Sequence, residues 1–193
     1  MRFMETDRLI LRDFEPSDFD DVHEYSSDYE NVRHMMFGPN TPEQTRDYLE
    51  RQCVEERDAV PRMHYNIALE RKEDGKVLGG ISLHLNWRRD DGILGTILNR
   101  HYTGHGYITE GMEGALDFFF CVLGLHRVHA VCDVSNDGVI RILDRIGLRN
   151  EGCMIKRGKN RPEEPVTYFD QYGYAILAEE WTPKYIKTAK AVD

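Results

Sequence analysis

The run Leu98-Asn99-Arg100-His101-Tyr102-Thr103-Gly104-His105-Gly106-Tyr107-Ile108-Thr109-Glu110 leads from a strand pattern straight into the strongest helical pattern of the chain. Two glycines one residue apart let the backbone turn tightly. The free N–H groups of the helix start then converge on one spot, with the positive end of the helix dipole behind them. Such a spot binds an anion, and a pyrophosphate suits it. The same glycines would also serve a plain strand-to-helix turn, and the spacing alone leaves both uses open. A Rossmann dinucleotide loop fits poorly. Thr109 stands where G-x-G-x-x-G needs its third glycine, and Leu125-His126-Arg127 fills the stretch where a ribose-binding acid belongs.

Other groups capable of chemistry are scattered. His84 and His129 fall on predicted strands, Asp133 follows the second of them, and Ser135 and Tyr102 add hydroxyls. For each, an ordinary hydrogen-bonded or surface role is open as well. Glu110, in the first turn of its helix, complements the dipole. Asn136 is a natural N-cap for the helix that follows it. Lys156-Arg157-Gly158-Lys159-Asn160-Arg161 reads as a solvated basic loop that could also touch a phosphate or an acidic acceptor. Cys53, Cys121, Cys132 and Cys153 have no CxxC or Cys/His spacing, so they are expected to be buried free thiols, with no metal site.

These groups need a scaffold, and periodicity outlines one. Arg8 to Asp13 alternates as a strand, and Pro16 to Ser26 reads as a helix. Thr41-Pro42-Glu43-Gln44 carries a capping box and opens a helix to about Arg57, with too few apolar positions to fill a core. Met63 to Glu70, Val77 to Leu85 and Gly92 to Leu98 form a meander joined by polar turns. From Thr109 onward Met112, Ala115, Leu116, Phe119, Phe120 and Leu123 recur at helical spacing. A strand over Arg127 to Cys132, a helix over Asp137 to Ile146 stopped by Gly147, and strands over Glu151 to Lys156 and Val166 to Leu177 complete a mixed α/β chain.

Four segments share an order and spacing that identify a family: Tyr102-Thr103-Gly104-His105-Gly106-Tyr107-Ile108-Thr109-Glu110-Gly111, then Leu123-Gly124-Leu125-His126-Arg127-Val128, then Asn136 followed by Ile140-Arg141-Ile142-Leu143-Asp144-Arg145-Ile146-Gly147-Leu148, then Glu151-Gly152. Over Gly79 to Trp181 the chain resembles the GNAT acetyltransferases. The opening Glu5-Thr6-Asp7-Arg8-Leu9-Ile10-Leu11-Arg12 is similar to the branch of ribosomal-protein alanine acetyltransferases (RimJ/RimL-like). The resemblance implies an α/β (α+β) fold: a mixed, mostly antiparallel sheet of about seven strands flanked by helices. The fourth strand (Gly92 to Asn99) would splay from the fifth (Arg127 to Asp133), with the pantetheine arm of acetyl-CoA in the gap. It further implies that the backbone of Leu98 pairs with that arm and supplies an oxyanion donor. Thr103, Gly104, His105, Gly106, Tyr107, Ile108 and Thr109 would hold the pyrophosphate, and Asn136 would touch the arm.

The chain also departs from these relatives. Val139 stands where they often have a Ser that can serve the leaving thiolate, and the stretch at Ile93 is apolar where they often have a Glu. Thr103 replaces a frequent Arg, Gln or Trp, and Ile108 a small residue. Three functions therefore stay in view: an N-acetyltransferase acting on a primary amine, a noncatalytic acyl-CoA-binding module, and a nucleotide-binding protein using the glycine loop.

All 193 residues fit one domain, with 182–193 as a tail. Neither a membrane-length apolar run nor a signal-peptide core occurs, so a cytoplasmic protein without a membrane partner is expected. With 25 Lys+Arg against 34 Asp+Glu, nucleic acid is disfavoured and cationic amines are favoured as partners. The acceptor, a small-molecule amine or a protein N-terminus, would bind among Pro16 to Arg57 and the loop from Arg157 to Pro165. The terminal strands could pair two copies as a homodimer.

Overall fold

Eight strands, buried at the centre and exposed along the β7 edge, assemble into one sheet in the computed structural model, which describes residues 1–159 and 165–186. The strands are β1 (Arg2–Glu5), β2 (Leu9–Asp13), β3 (His64–Arg71), β4 (Val77–Leu85), β5 (Asp91–Leu98), β6 (Arg127–Asp133), β7 (Arg149–Lys159) and β8 (Tyr168–Leu177). Their order across the sheet is β1-β2-β3-β4-β5-β6-β8-β7. Every neighbouring pair is antiparallel except β5 and β6. The added strand is Arg2–Glu5, whose four residues are too few to declare a period of two.

The parallel pair fixes the character of the molecule. β5 and β6 are in register over Asp91↔Arg127, Gly92↔Val128 and Ile93↔His129 only. Beyond Ile93 both strands continue without pairing to each other, so a cleft opens between Leu94–Leu98 and Ala130–Asp133. The splay lies where the sequence resemblance places it.

The helices are α1 (Phe19–Ser26), α2 (Tyr29–Val32), α3 (Pro42–Asp47), α4 (Tyr107–Asp117) and α5 (Asp137–Arg145). Met112, Leu116 and Phe119 pack with Ile67, Leu69, Ile81, Leu83 and Leu94 in the main core on one face of the sheet. Each large side chain so buried contributes about 1.5–3 kcal/mol. On the other face Phe14, Val22, Tyr25, Leu49, Cys53 and Ala68 form a smaller cluster beneath α1 and α3. The capping box of α3 is present: Gln44 N–H donates to Thr41 Oγ1 (3.3 Å) and Thr41 N–H to Gln44 Oε1 (2.8 Å). After Asp47 the helix widens into π-helical turns over Tyr48–Glu55, with only Leu49 and Cys53 buried.

The cysteines divide. Cys53 and Cys132 are buried, and burial pushes their thiols up to about 12 and about 11. Cys121 and Cys153 are exposed, which corrects the expectation of four buried thiols. Cys121 lies on the outer side of the helical turns that continue α4, and Cys153 on β7, the edge of the sheet.

Near the C-terminus the chain returns to α4. Asp117, fully buried, accepts hydrogen bonds from the Trp181 indole (2.8 Å), the Lys184 N–H (2.9 Å) and the Tyr185 N–H. Residues 187–193 of the expected tail, and Asn160 and Arg161 of the basic run, lie outside the described residues.

Candidate active site

The cleft carries backbone groups in a defined direction. Asn99 N–H donates to the Leu78 carbonyl at 2.7 Å, so Asn99 turns its peptide groups toward β4. Hydrogen-bonding direction alternates along an antiparallel strand. Thr96 and Leu98 therefore turn their N–H and C=O groups to the opposite edge, into the cleft. A polyamide chain laid along β5 would find there the partners that β6 withholds.

The glycine loop stands at the wide end of that cleft. Gly104 and Gly106 both adopt left-handed backbone, with φ of 81° and 80°, a conformation that L side chains rarely take. Gly106 caps α4, so the first-turn N–H groups of Tyr107, Ile108 and Thr109 face the loop. Arg8 holds the loop from below. Its Nη1 donates to the His105 carbonyl (3.0 Å), and its guanidinium lies 4.4 Å from the Tyr107 ring centre. Arg8 is in turn fixed by Glu110, which accepts from Arg8 Nε (2.6 Å), Arg8 N–H (2.7 Å) and Thr6 Oγ1 (2.6 Å). Burial alone would raise the Glu110 pKa, but these three donors outweigh it and hold the carboxyl below its usual range. Arg71 lies over Tyr102 at 5.0 Å. A chain of net charge −9 thus gathers two guanidinium groups around one loop.

On the opposite side of β5, Ile97 helps to line a cavity of about 630 Å³ under α1 and α3. Glu43 and Asp47 are its charged lining residues, with the Tyr25 and Tyr48 phenols inside. Burial holds both phenols above their ordinary pKa, so they are neutral donors. Arg46 and Arg51 neighbour the two carboxylates along the helix, at 3.9 and 2.9 Å, in exposed pairs that water screens. A smaller recess of about 160 Å³ shares Tyr48 and Gln52 with this cavity and contains His64, His84 and Glu56. The cavity is lined from Val22 to Gln52 and by Ile97; no described residue of 157–165 lines it, and 157–159 belong to β7 rather than to the expected loop.

The remaining candidates separate. Asn136 Oδ1 accepts from Val139 N–H (3.2 Å), so the N-cap reading holds. Val139 packs against the main core. Ser135 donates to Asp133 Oδ1 (2.8 Å), a local turn. His129 Nδ1 meets Asp91 Oδ1 at 2.8 Å, and His84 Nδ1 meets His64 Nδ1 at 2.5 Å. Sequence reasoning missed Arg8, Arg71 and His64 as neighbours of the site. The Glu5-to-Arg12 run held the signal for Arg8, but nothing local ties it to residue 110.

The parting parallel strand pair and the glycine loop at a helix N-terminus are features that the resemblance to the GNAT acetyltransferases implies. The Acetyltransferase (GNAT) domain family matches residues 8–149. The chain belongs to the GNAT acetyltransferases, enzymes whose cosubstrate is acetyl-CoA. It is 30% identical over 176 residues to the uncharacterized N-acetyltransferase YnaD of Bacillus subtilis (strain 168), covering 91% of this chain and 97% of that protein. The GNAT-family acetyltransferase structure from Bacillus anthracis superposes with a TM-score of 0.79 at 29% identity, covering 92% and 99% of the two chains. The spermidine N-acetyltransferase of Vibrio cholerae, solved with CoA and spermine, shares the fold at a TM-score of 0.73 and 18% identity, covering 90% and 97%. Among the described residues no helix is long and apolar enough to cross a membrane.

Proposed function

We propose that this enzyme transfers the acetyl group of acetyl-CoA to the primary amine of a small cationic acceptor in the cytoplasm, by direct attack of the amine on the thioester. One observation carries this reading: the open edge of β5 and a carboxylate-rimmed cavity lie on either side of the same strand. In this reading residues 103–109 (Thr103, Gly104, His105, Gly106, Tyr107, Ile108, Thr109) hold the pyrophosphate, with Arg8 and Arg71 balancing its charge. Asn136 borders the pantetheine arm, and the Leu98 N–H polarises the thioester carbonyl and stabilises the developing oxyanion. Glu43 and Asp47 favour a small acceptor with more than one ammonium group over the singly charged end of a peptide, while a protein N-terminus remains the other acceptor class. The Glu5-to-Arg12 run supports the RimJ/RimL-like branch, and the two sheet edges, β1 and β7, are where a homodimer would form.

Thermal unfolding with acetyl-CoA, CoA, NAD and ATP tests the cosubstrate, because a ligand bound only by the folded state raises Tm. Shifts with acetyl-CoA and CoA alone are expected. CoA release is then followed with spermidine, amino acids, aminoglycosides and short peptides, and turnover is expected on the cationic small amines. Binding with no turnover on any amine would instead identify a noncatalytic acyl-CoA module, a second reading favoured by apolar Ile93 and Val139.

A further inference from the structure

Amine acetylation needs a proton acceptor, because an aliphatic amine at neutral pH is an ammonium ion with no lone pair to attack. Ile93, on β5 at the last rung before the cleft opens, offers none. The sheet register shows what surrounds it. His64 pairs with His84, His84 with Ile93, and Ile93 with His129, so three imidazoles and one isoleucine form a single row across four strands. The next row, Asn66↔Ser82↔Gly95, separates that row from the Ala68↔Gly80↔Ile97 row under the large cavity. Its height is kept low by Gly95, where even a Cβ would come within 2.6 Å of Ser82 Oγ. The histidine row thus lies on the same face of the sheet as the Ala68↔Gly80↔Ile97 row, with Asn66, bonded to the Gln52 carbonyl, and Gly95 between them.

Two of these histidines are backed by a carboxylate. His129 faces Asp91, but His129 lines neither of the two recesses. His84 lines the smaller recess, which shares Tyr48 and Gln52 with the acceptor cavity. Behind His84 stands His64 at 2.5 Å between Nδ1 atoms, and behind His64 stands Glu56, its carboxylate 3.6 Å from His64 Nε2.

We propose that His84 is the general base of the transfer and that His64 and Glu56 are its positioning residues. The proposal rests on the acetyltransferase reading above. With His64 protonated on Nε2, toward Glu56, His64 Nδ1 accepts the His84 Nδ1–H and leaves the His84 Nε2 lone pair free. That lone pair takes one proton from the substrate ammonium through a relay of waters along β5, because His84 pairs with Ile93, five residues and about 16 Å of strand from Leu98. The freed amine forms the N–C bond, and the carbonyl electrons move onto oxygen and return as the C–S bond breaks. The electron pair leaves on sulfur, the second amine proton passes to it to give CoA-SH, and His84 returns its proton to solvent. The imidazolium formed in between is stabilised by the Glu56 carboxylate, while His64 orients the ring.

The groups facing His84 are His64 from β3, Glu56 and the neutral Tyr48 from the widened helix, and Ile93 from β5, with His129 one strand further. Burial and the neighbouring His64 lower the His84 pKa from its ordinary value, while Glu56 acts to raise it. His84 is therefore a neutral acceptor at pH 7, and the acid limb of the kcat/KM profile should fall below the ordinary histidine range.

The test uses the full chain, acetyl-CoA and the best amine from the screen. His84→Asn should lower kcat about a hundredfold, the low end for loss of a general base, and abolish the acid limb. The Tm shift with acetyl-CoA should stay as in the wild type, which shows that the variant folds and binds. Glu56→Gln should move the limb to lower pH and His64→Asn to higher pH, readouts that hold even if His84→Asn fails to fold. A His84→Asn enzyme within threefold of wild type, an unmoved limb in both positioning variants, or loss of the limb in His129→Asn instead would overturn the assignment. A wild type that binds acetyl-CoA yet acetylates no amine would sink the acetyltransferase reading itself, and this proposal with it.

Discussion

Glu110 shows how one side chain serves two purposes. In the sequence it is an acid in the first turn of a helix, where it complements the dipole. In the fold it is also the acceptor that ties the turn between β1 and β2 to the glycine loop, through Thr6 and Arg8. Its pKa is depressed in the folded state, so its contribution to stability is complete above the unfolded carboxylate value, about 4.3. That contribution is lost as pH falls through the lower, folded value. Glu110→Gln should thus flatten the acid end of the Tm-versus-pH curve and narrow the difference from wild type below about pH 4. It should also weaken acetyl-CoA binding at pH 7, because Arg8 loses the partner that holds it under His105. Equal Tm differences at pH 3 and pH 7 would show that the ion pair contributes nothing to acid stability. The glycines were legible because φ near +80° leaves a chemical mark in the sequence. Arg8 and Arg71 were not, because a guanidinium can bridge segments a hundred residues apart without any local pattern.

At the level of elements, strong periodicity translated directly. The helix opened by the glycine loop, the meander of β3 to β5 and the capping box at Thr41 all follow from spacing that local physics enforces. Other features did not. The widened turns over Tyr48–Glu55 carry an ordinary helical pattern, and the Asn66 amide on β3 donates to the Gln52 carbonyl within them at 2.6 Å, a contact that no local pattern announces. Cys121 was expected inside because its spacing offers no metal or disulfide use, yet the helical turns continuing past Asp117 turn it outward. The docking of residues 181–185 was equally hidden, since it depends on one acid on a distant helix. Asp117 is fully buried and satisfies the Trp181 indole and two backbone N–H groups. Asp117→Ala leaves those donors unsatisfied or releases the segment to water, and should cost about 2–4 kcal/mol. For a chain of this size that is a fall in Tm of roughly 4–16 °C. Asp117→Asn keeps one acceptor oxygen and should lose about half as much. Unchanged Tm in Asp117→Ala, measured by calorimetry, would mean that the segment does not stabilise the fold.

Across the whole molecule, charge is sorted by function. The net charge of −9 would repel a tetra-anionic cosubstrate if it were evenly spread. Instead Arg8 and Arg71 stand at the loop, while Glu43 and Asp47 stand at the rim of the cavity on the far side of β5. In the proposed reaction the two substrates have opposite charges, and each meets paired groups on its own side: Arg8 with Glu110 and Arg71 with Asp74 at the loop, Glu43 with Arg46 and Asp47 with Arg51 at the cavity. This arrangement makes a separable prediction. Both rim carboxylates are largely exposed and already neighbour an arginine, so water screens what each contributes. Glu43→Gln combined with Asp47→Asn should therefore raise KM for a cationic amine about three- to tenfold, with kcat and the acetyl-CoA-induced Tm shift nearly unchanged. Raising salt from 50 to 500 mM should increase the wild-type KM toward that of the double variant, because screening removes what the substitutions remove. A KM insensitive to both changes would mean that the amine is bound by the phenols and amides inside the cavity alone. The acceptor would then be chosen by shape rather than by charge, and the preference for cationic over neutral amines would have to vanish with it.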